Sequence, residues 1–252
     1  MDRQTPRRVA GLHGRARKRP DWGPLVTPHP PLSPRHQSIV QTVLDHHQVT
    51  TSQITRLHFY RDGTDRSRPT RVQRTLRSLV LRGAIKRMPG VRWVGGFEGG
   101  SGSYVYIPPT SAARSRRMHT HDIVELRVQL AMAQHDGLCG PVVFHPEEQA
   151  ALRVGMTPLR PDARVQIRLG DNLRDCFIEV DEGSEWGQKI PAKLRAYSDA
   201  RQQWTQGRFP AVVFVVPDEA RASYIQRKVA EHGDTELFRI TQLDEAARYL
   251  TT

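Results

Sequence analysis

Cysteine is nearly absent: Cys139 and Cys176 are the only two in 252 residues, far apart and outside any CxxC pattern. That excludes a disulfide framework and a cysteine-based zinc site, and it fits a reducing cytoplasm. Long apolar runs are missing too. The run from Ala211 to Val216 falls far short of the ~20 residues that a membrane-spanning helix needs. The arginine-rich start has no apolar stretch of the kind found in a secretory signal. No internal repeat is visible, and the glycine pairs Gly95-Gly96 and Gly99-Gly100 lack the Lys-Ser/Thr ending of a phosphate-binding loop. The expectation is a cytoplasmic protein with no membrane partner.

Acidic residues are scarce in the first half. The net charge is +5 over residues 1–31, +11 over 32–119 and −4 over 120–252, within an overall +12. A basic module followed by a mildly acidic one points to a front half that meets a polyanion, with nucleic acid foremost. Residues 1–31 combine basic side chains with a proline-rich run from Pro20 to Pro31 and have little to bury. They read as a disordered basic arm.

Order begins at Ser33-Pro34, an N-cap followed by proline at the first helical position, with Ile39, Val40, Val43 and Leu44 at helical spacing. Thr50 and Gln53 form a capping-box pattern for a second helix. A third helix spans Pro69 to Arg82 and closes at Gly83. Its Val72, Leu76, Leu79 and Val80 share one arc, while Thr70, Arg71, Arg74 and Arg77 project from the other side or flank it. Val91 to Val94 and Tyr104 to Ile107, separated by a glycine-rich tip, read as a β-hairpin. Three helices and a hairpin make a winged helix-turn-helix over residues 32–109, followed by a linker at 110–119. A reader of this type lays its exposed helix face in the major groove of double-stranded DNA. Thr70, Arg71, Arg74 and Arg77 are therefore the predicted DNA contacts, and Arg92 on the hairpin is a predicted phosphate contact.

Residues 120–252 read as helix, several strands, helix, strand, helix, strand and helix, an α/β domain; the chain as a whole is α/β (α+β). Along Phe177 to Asp181, alternation puts Glu179 and Asp181 on one face and Ile178 and Val180 on the other. If the strand following Asp162 pairs antiparallel with this one, Asp162 lies opposite its far end. Asp162, Glu179 and Asp181, with Glu125 from the preceding helix, are candidate ligands for Mg²⁺, which binds through one or two carboxylates and several waters. Lys193 on the next helix can reach inward to complete a hydrolytic site with Asp162 and Glu179. His119 and His121 precede the domain's first helix without the spacing of a zinc site.

Pro161-Asp162 followed by Glu179-x-Asp181 resembles the PD-(D/E)xK nuclease-like core. More broadly, a winged helix, His121-Asp122 opening a helix, Leu159 to Ala163, Glu179 to Gly183, and Lys193 with Tyr197 downstream resemble the replication-relaxation family of plasmids and other mobile elements, over about residues 33–250. That resemblance implies DNA binding in replication, relaxation or transfer, replication or transfer proteins as partners, and a nuclease-like second domain. The nuclease pattern wants lysine where this chain has Asp181, so Lys193 or Lys189 would have to substitute for it. An accessory DNA-binding factor, a Mg²⁺-dependent endonuclease and a winged-helix transcriptional regulator are the competing functions.

Overall fold

In a computed structural model, residues 30–93, 103–112, 117–183 and 188–252 are described, with side chains at 91–93 excepted. The expected basic arm up to residue 29 and the glycine-rich hairpin tip lie outside them, as does most of the Arg114 to Arg117 run. Leu32–Thr252 forms one compact unit.

The front of this unit is α1 (Pro34–His46), β1 (Val49–Thr50), α2 (Thr51–His58), α3 (Arg68–Leu81), β2 (Lys86–Trp93) and β3 (Ser103–Ile107). Local chemistry sets the boundaries. Ser33 caps α1 by accepting from the His36 N–H. Thr50 and Gln53 form a complete capping box on α2. Gly83 ends α3 in the left-handed region at φ 67°. The Gly83 N–H donates to the Val80 carbonyl and the Ala84 N–H to that of Leu79, both at 3.0 Å, the two bonds of a Schellman stop. β1, β3 and β2 form a small antiparallel sheet in that order. Ile39, Val43, Ile54, Val72, Leu76 and Leu79 fill the core beneath.

The second half continues with α4 (Met118–His135), β4 (Val142–Pro146), α5 (Glu147–Ala150), β5 (Leu152–Val154), β6 (Thr157–Leu159), β7 (Ala163–Leu169), β8 (Asn172–Val180), α6 (Lys189–Gln202), β9 (Ala211–Val216), α7 (Glu219–His232), β10 (Phe238–Gln242) and α8 (Leu243–Thr251). A five-stranded sheet runs β10-β9-β8-β7-β4. β8, β9 and β10 are mutually parallel through the crossovers α6 and α7, whereas β7 pairs antiparallel with β8 and with β4. Ile190, Leu194, Tyr197, Ile225 and Val229 cover one face, and Ile123, Leu126, Leu130, Ala246 and Leu250 cover the other. Helices on both faces of a mixed sheet make the chain α/β. The β5–β6 hairpin is an addition to the expected strands; it is short and is interrupted by Gly155 and Pro158. Among the described residues no helix is long and apolar enough to cross a membrane.

α4 belongs to both halves. Ile123, Leu126 and Leu130 face the large sheet, while Val124 and Val128, both 0% exposed, complete the core of the front helices. From His121 to Ala133 no residue is exposed, the pattern of a helix buried all round. Polar contacts brace the same junction. Arg56 Nη1 meets Glu125 Oε1 at 2.6 Å, and Arg127 Nη1 lies 2.7 Å from His46 Nε2.

Burial, reinforced by the Arg127 charge, lowers the His46 imidazole to about 3, so it is neutral in the fold and accepts from Arg127. In the unfolded chain the ring takes a proton near its ordinary value of about 6.5. Its contribution to stability is therefore complete above that value and is lost as pH falls toward the folded one. Between pH 7 and pH 5 the parent is expected to lose about 2 kcal/mol more unfolding free energy than His46→Gln, from ~1.36 kcal/mol per pH unit below ~6.5. Urea titrations at the two pH values check this, and equal losses would contradict it.

Candidate functional site

The β7–β8 register fixes the position of the first carboxylate. Ala163 pairs with Ile178, so Asp162, one residue earlier, sits beside the end of β8. Its N–H donates to the Ile178 carbonyl at 3.0 Å, and its Oδ2 accepts the Val180 N–H at 2.7 Å. Alternation along β8 sends Cys176, Ile178 and Val180 into the α4–α8 side and Phe177 to the α6–α7 side. Glu179, in phase with Phe177, points the same way and is 2% exposed.

A carboxylate buried this deeply needs partners. Lys193 Nζ on α6 donates to Glu179 Oε2 at 2.8 Å, and Tyr197 OH, one helical turn on, donates to Oε1 at 2.5 Å. Tyr197 belongs to the inward stripe with Ile190 and Leu194, and Lys193 stands at its edge. Burial and then the nearby Asp162 charge push Glu179 up to about 7, against the opposing pull of Lys193 and Tyr197. Burial, with Glu179 beside it, also raises the Tyr197 phenol. At the rim, His119 Nε2 lies 3.0 Å from Asp162 Oδ2, and that bond raises its pKa against the effect of burial. The Lys193 and His119 side chains are 31% and 38% exposed, so the cluster is buried at its carboxylates and partly open at these two partners.

The structure thus brings Asp162, Glu179 and Lys193 together, with Tyr197 and His119, but it does not add Asp181 or Glu125. Asp181 is claimed by Arg221 of α7, whose Nε and Nη2 donate to its two oxygens at 2.9 and 2.7 Å; the Gly183 N–H adds a third bond at 2.6 Å. Glu125 is held by Arg56. Among the described residues no three His, Cys, Asp or Glu side chains converge as metal ligands, so the expected four-carboxylate set is not assembled.

His119, rather than His121, is the histidine at Asp162. His121 Nδ1 is 3.0 Å from Asp122 Oδ1. Residues two apart on a helix point some 200° away from each other, so one could take the position and not both. Arg221 escapes a reading of the sequence that looks only for acids and lysines. Its signal lies in the spacing: it stands four residues before Ile225 and eight before Val229, in line with the buried stripe of α7.

On α3, Thr70, Arg71, Arg74 and Arg77 are all exposed, while Val72, Leu76 and Leu79 are buried. Among the described residues no acidic group pairs with Arg71, Arg74 or Arg77. Neighbouring basic groups are engaged: Arg35 with Asp62, and Arg68 with Asp65 at 3.0 Å. Arg92 pairs with Tyr104 in the β2–β3 register. A recess of about 320 Å³ between α7, β10 and α8, lined in part by Ala222, Ile240 and Tyr249, includes none of the predicted site residues.

No protein-family model, curated protein or solved structure matches this chain.

Replacing Arg221 with Met strands the Asp181 carboxylate, 1% exposed, and is expected to cost about 3–5 kcal/mol of stability, as for other broken buried pairs. Combining it with Asp181→Asn should recover part of the loss. Urea unfolding of the single and double variants measures both, and a loss below about 1 kcal/mol in the single variant would be inconsistent with a buried pair.

Proposed function

We propose that this protein binds double-stranded DNA, laying the arginine face of α3 in the major groove with the β2–β3 hairpin beside it. The observation that carries this reading is the set of exposed arginines at 71, 74 and 77, unpaired with any described acid, on a helix whose opposite stripe is buried. Leaving three guanidinium groups together without counter-ions has an electrostatic cost that a polyphosphate would remove, and each can grip phosphate or guanine through two parallel bonds. Thr70 and Arg92 extend the interface, and the pattern is that of a winged helix-turn-helix. In line with the resemblance of its motifs to the replication-relaxation family, the chain acts as an accessory factor in replication, relaxation or transfer of a mobile element.

Replacing Arg74 and Arg77 with Ala is expected to weaken duplex binding at least roughly tenfold at moderate salt. It should also flatten the plot of log K against log salt by about 2, at ~0.9 for each phosphate no longer neutralised. Fluorescence anisotropy across a salt series measures both. Unchanged affinity and slope would remove α3 as the reader.

A second reading, a Mg²⁺-dependent DNA endonuclease, is favoured by the Lys193–Glu179 contact beside Asp162. Asp162 and Glu179 are neighbouring carboxylates, near enough for the Asp162 charge to act on Glu179, and an ion held between them would relieve that repulsion. When bound, the ion would supply an activated water and offset charge on the phosphate. Asp162 and Glu179 would hold it, and Lys193 would stand beside the reacting phosphate. Mn²⁺ is expected to raise the thermal midpoint of the parent and not that of Asp162→Asn, and nicking of supercoiled plasmid should vanish in Asp162→Asn and Glu179→Gln. A midpoint indifferent to Mn²⁺ in the parent would exclude the ion from this pocket.

A further inference from the structure

We propose that Leu81 is a specificity residue of α3, packing its side chain against the C5-methyl group of a thymine in the major groove. This rests on the duplex-binding reading above and adds to it an apolar base contact.

The placement follows from helical geometry. Thr70, Arg74, Arg77 and Leu81 are spaced by four, three and four residues, so at ~100° per residue they fall within about 60° of one another, with Leu81 between Arg74 and Arg77. Val72, Leu76 and Leu79 are buried on the far side. Leu81 is 72% exposed, and it is the side chain of this face that carries no polar atom.

The fold gives Leu81 no other task. The stop at Gly83 is closed by Leu79 and Ala84: the Ala84 N–H donates to the Leu79 carbonyl at 3.0 Å, and both residues belong to the front core, supplying the apolar contact that accompanies such a stop. Leu81 lies outside that core. Helix formation does not call for it either, since Arg, Lys and Gln favour a helix about as well as Leu and suit water better. A solitary exposed leucine is ordinary on a protein surface. One centred on a guanidinium face loses its contact with water when a duplex covers that face.

The chemistry of the groove then selects the base. Arginine grips guanine or phosphate, whereas an apolar side chain is matched by the thymine methyl group. Leu81 stands four residues beyond Arg77, ~6 Å along the helix axis, which equals the rise of about two base pairs. The thymine is therefore expected about two base pairs from the Arg77 contact. Cytosine lacks the methyl group and 5-methylcytosine carries it at the same ring position, so the same contact favours methylated over unmodified cytosine.

The test removes and restores that one methyl group. A duplex is enriched from a random-sequence pool by the full-length chain, and each of its thymines is replaced singly by deoxyuridine. By fluorescence anisotropy, one thymine, or a symmetric pair, is expected to weaken binding of the parent about fourfold when its methyl is lost, the effect of burying one methyl-sized group. With a cytosine–guanine pair at that position, methylating the cytosine should strengthen binding by a similar factor. Leu81→Gln retains helix propensity and is expected to match the parent's thermal midpoint while binding the thymine and deoxyuridine duplexes equally. A parent indifferent to every methyl group, or a Leu81→Gln variant that keeps the parent's preference, would overturn the proposal, as would a pool yielding no common sequence. Failure of the duplex-binding reading appears separately, as no binding of the parent to any duplex at low salt.

Discussion

Everything in this structure depends on one helix that has no solvent face along its middle. α4 fills the core of the front helices through Val124 and Val128 and the core against the large sheet through Ile123, Leu126 and Leu130. Neither half can close its apolar surface without it. The consequence is mechanical: the exposed arginines of α3 and the carboxylates at the end of β8 are fixed relative to each other by packing, with polar bonds from Gln48, Gln53, Arg56 and Arg127 at its edges.

The two charged sites handle their charge in opposite ways. On α3, guanidinium groups are gathered in water without acidic partners, where hydration keeps the cost low and an incoming polyanion gains from each contact. At the end of β8, charge is buried and balanced internally: Lys193 and Tyr197 take the two oxygens of Glu179, His119 takes Asp162, and Arg221 takes Asp181. The last pair is closed to solvent, which makes it a brace for the sheet. The Asp162–Glu179 pair differs in having partly exposed partners, Lys193 and His119.

Much of this is legible in the sequence because it is local. Capping residues, the Gly83 stop and the two-sided third helix follow from spacing alone, and alternation along β8 with an antiparallel neighbour is enough to bring Asp162 to Glu179. Lys193 is legible from its place at the edge of the Ile190–Leu194–Tyr197 stripe. What the sequence withholds is competition between partners. Asp181 shares a face with Glu179, yet no local rule says that Arg221, forty residues on, will claim it; Glu125 goes to Arg56 in the same way. The choice of His119 over His121 depends on the rotational phase of α4. That phase is set by two apolar stripes at once: Ile123, Leu126, Leu130 and Ala133 stand out at helical spacing, while Val124, Val128 and Met132 form the other and show their role only against the front helices.

The central claim is that the exposed face of α3 is where duplex DNA rests. Hydrogen–deuterium exchange with and without saturating duplex tests it most directly, because it reports the protected segment in the unmodified chain. The account predicts new protection concentrated in residues 66–82 and the adjoining hairpin. Protection confined to the sheet half, or none anywhere at low salt, would contradict it.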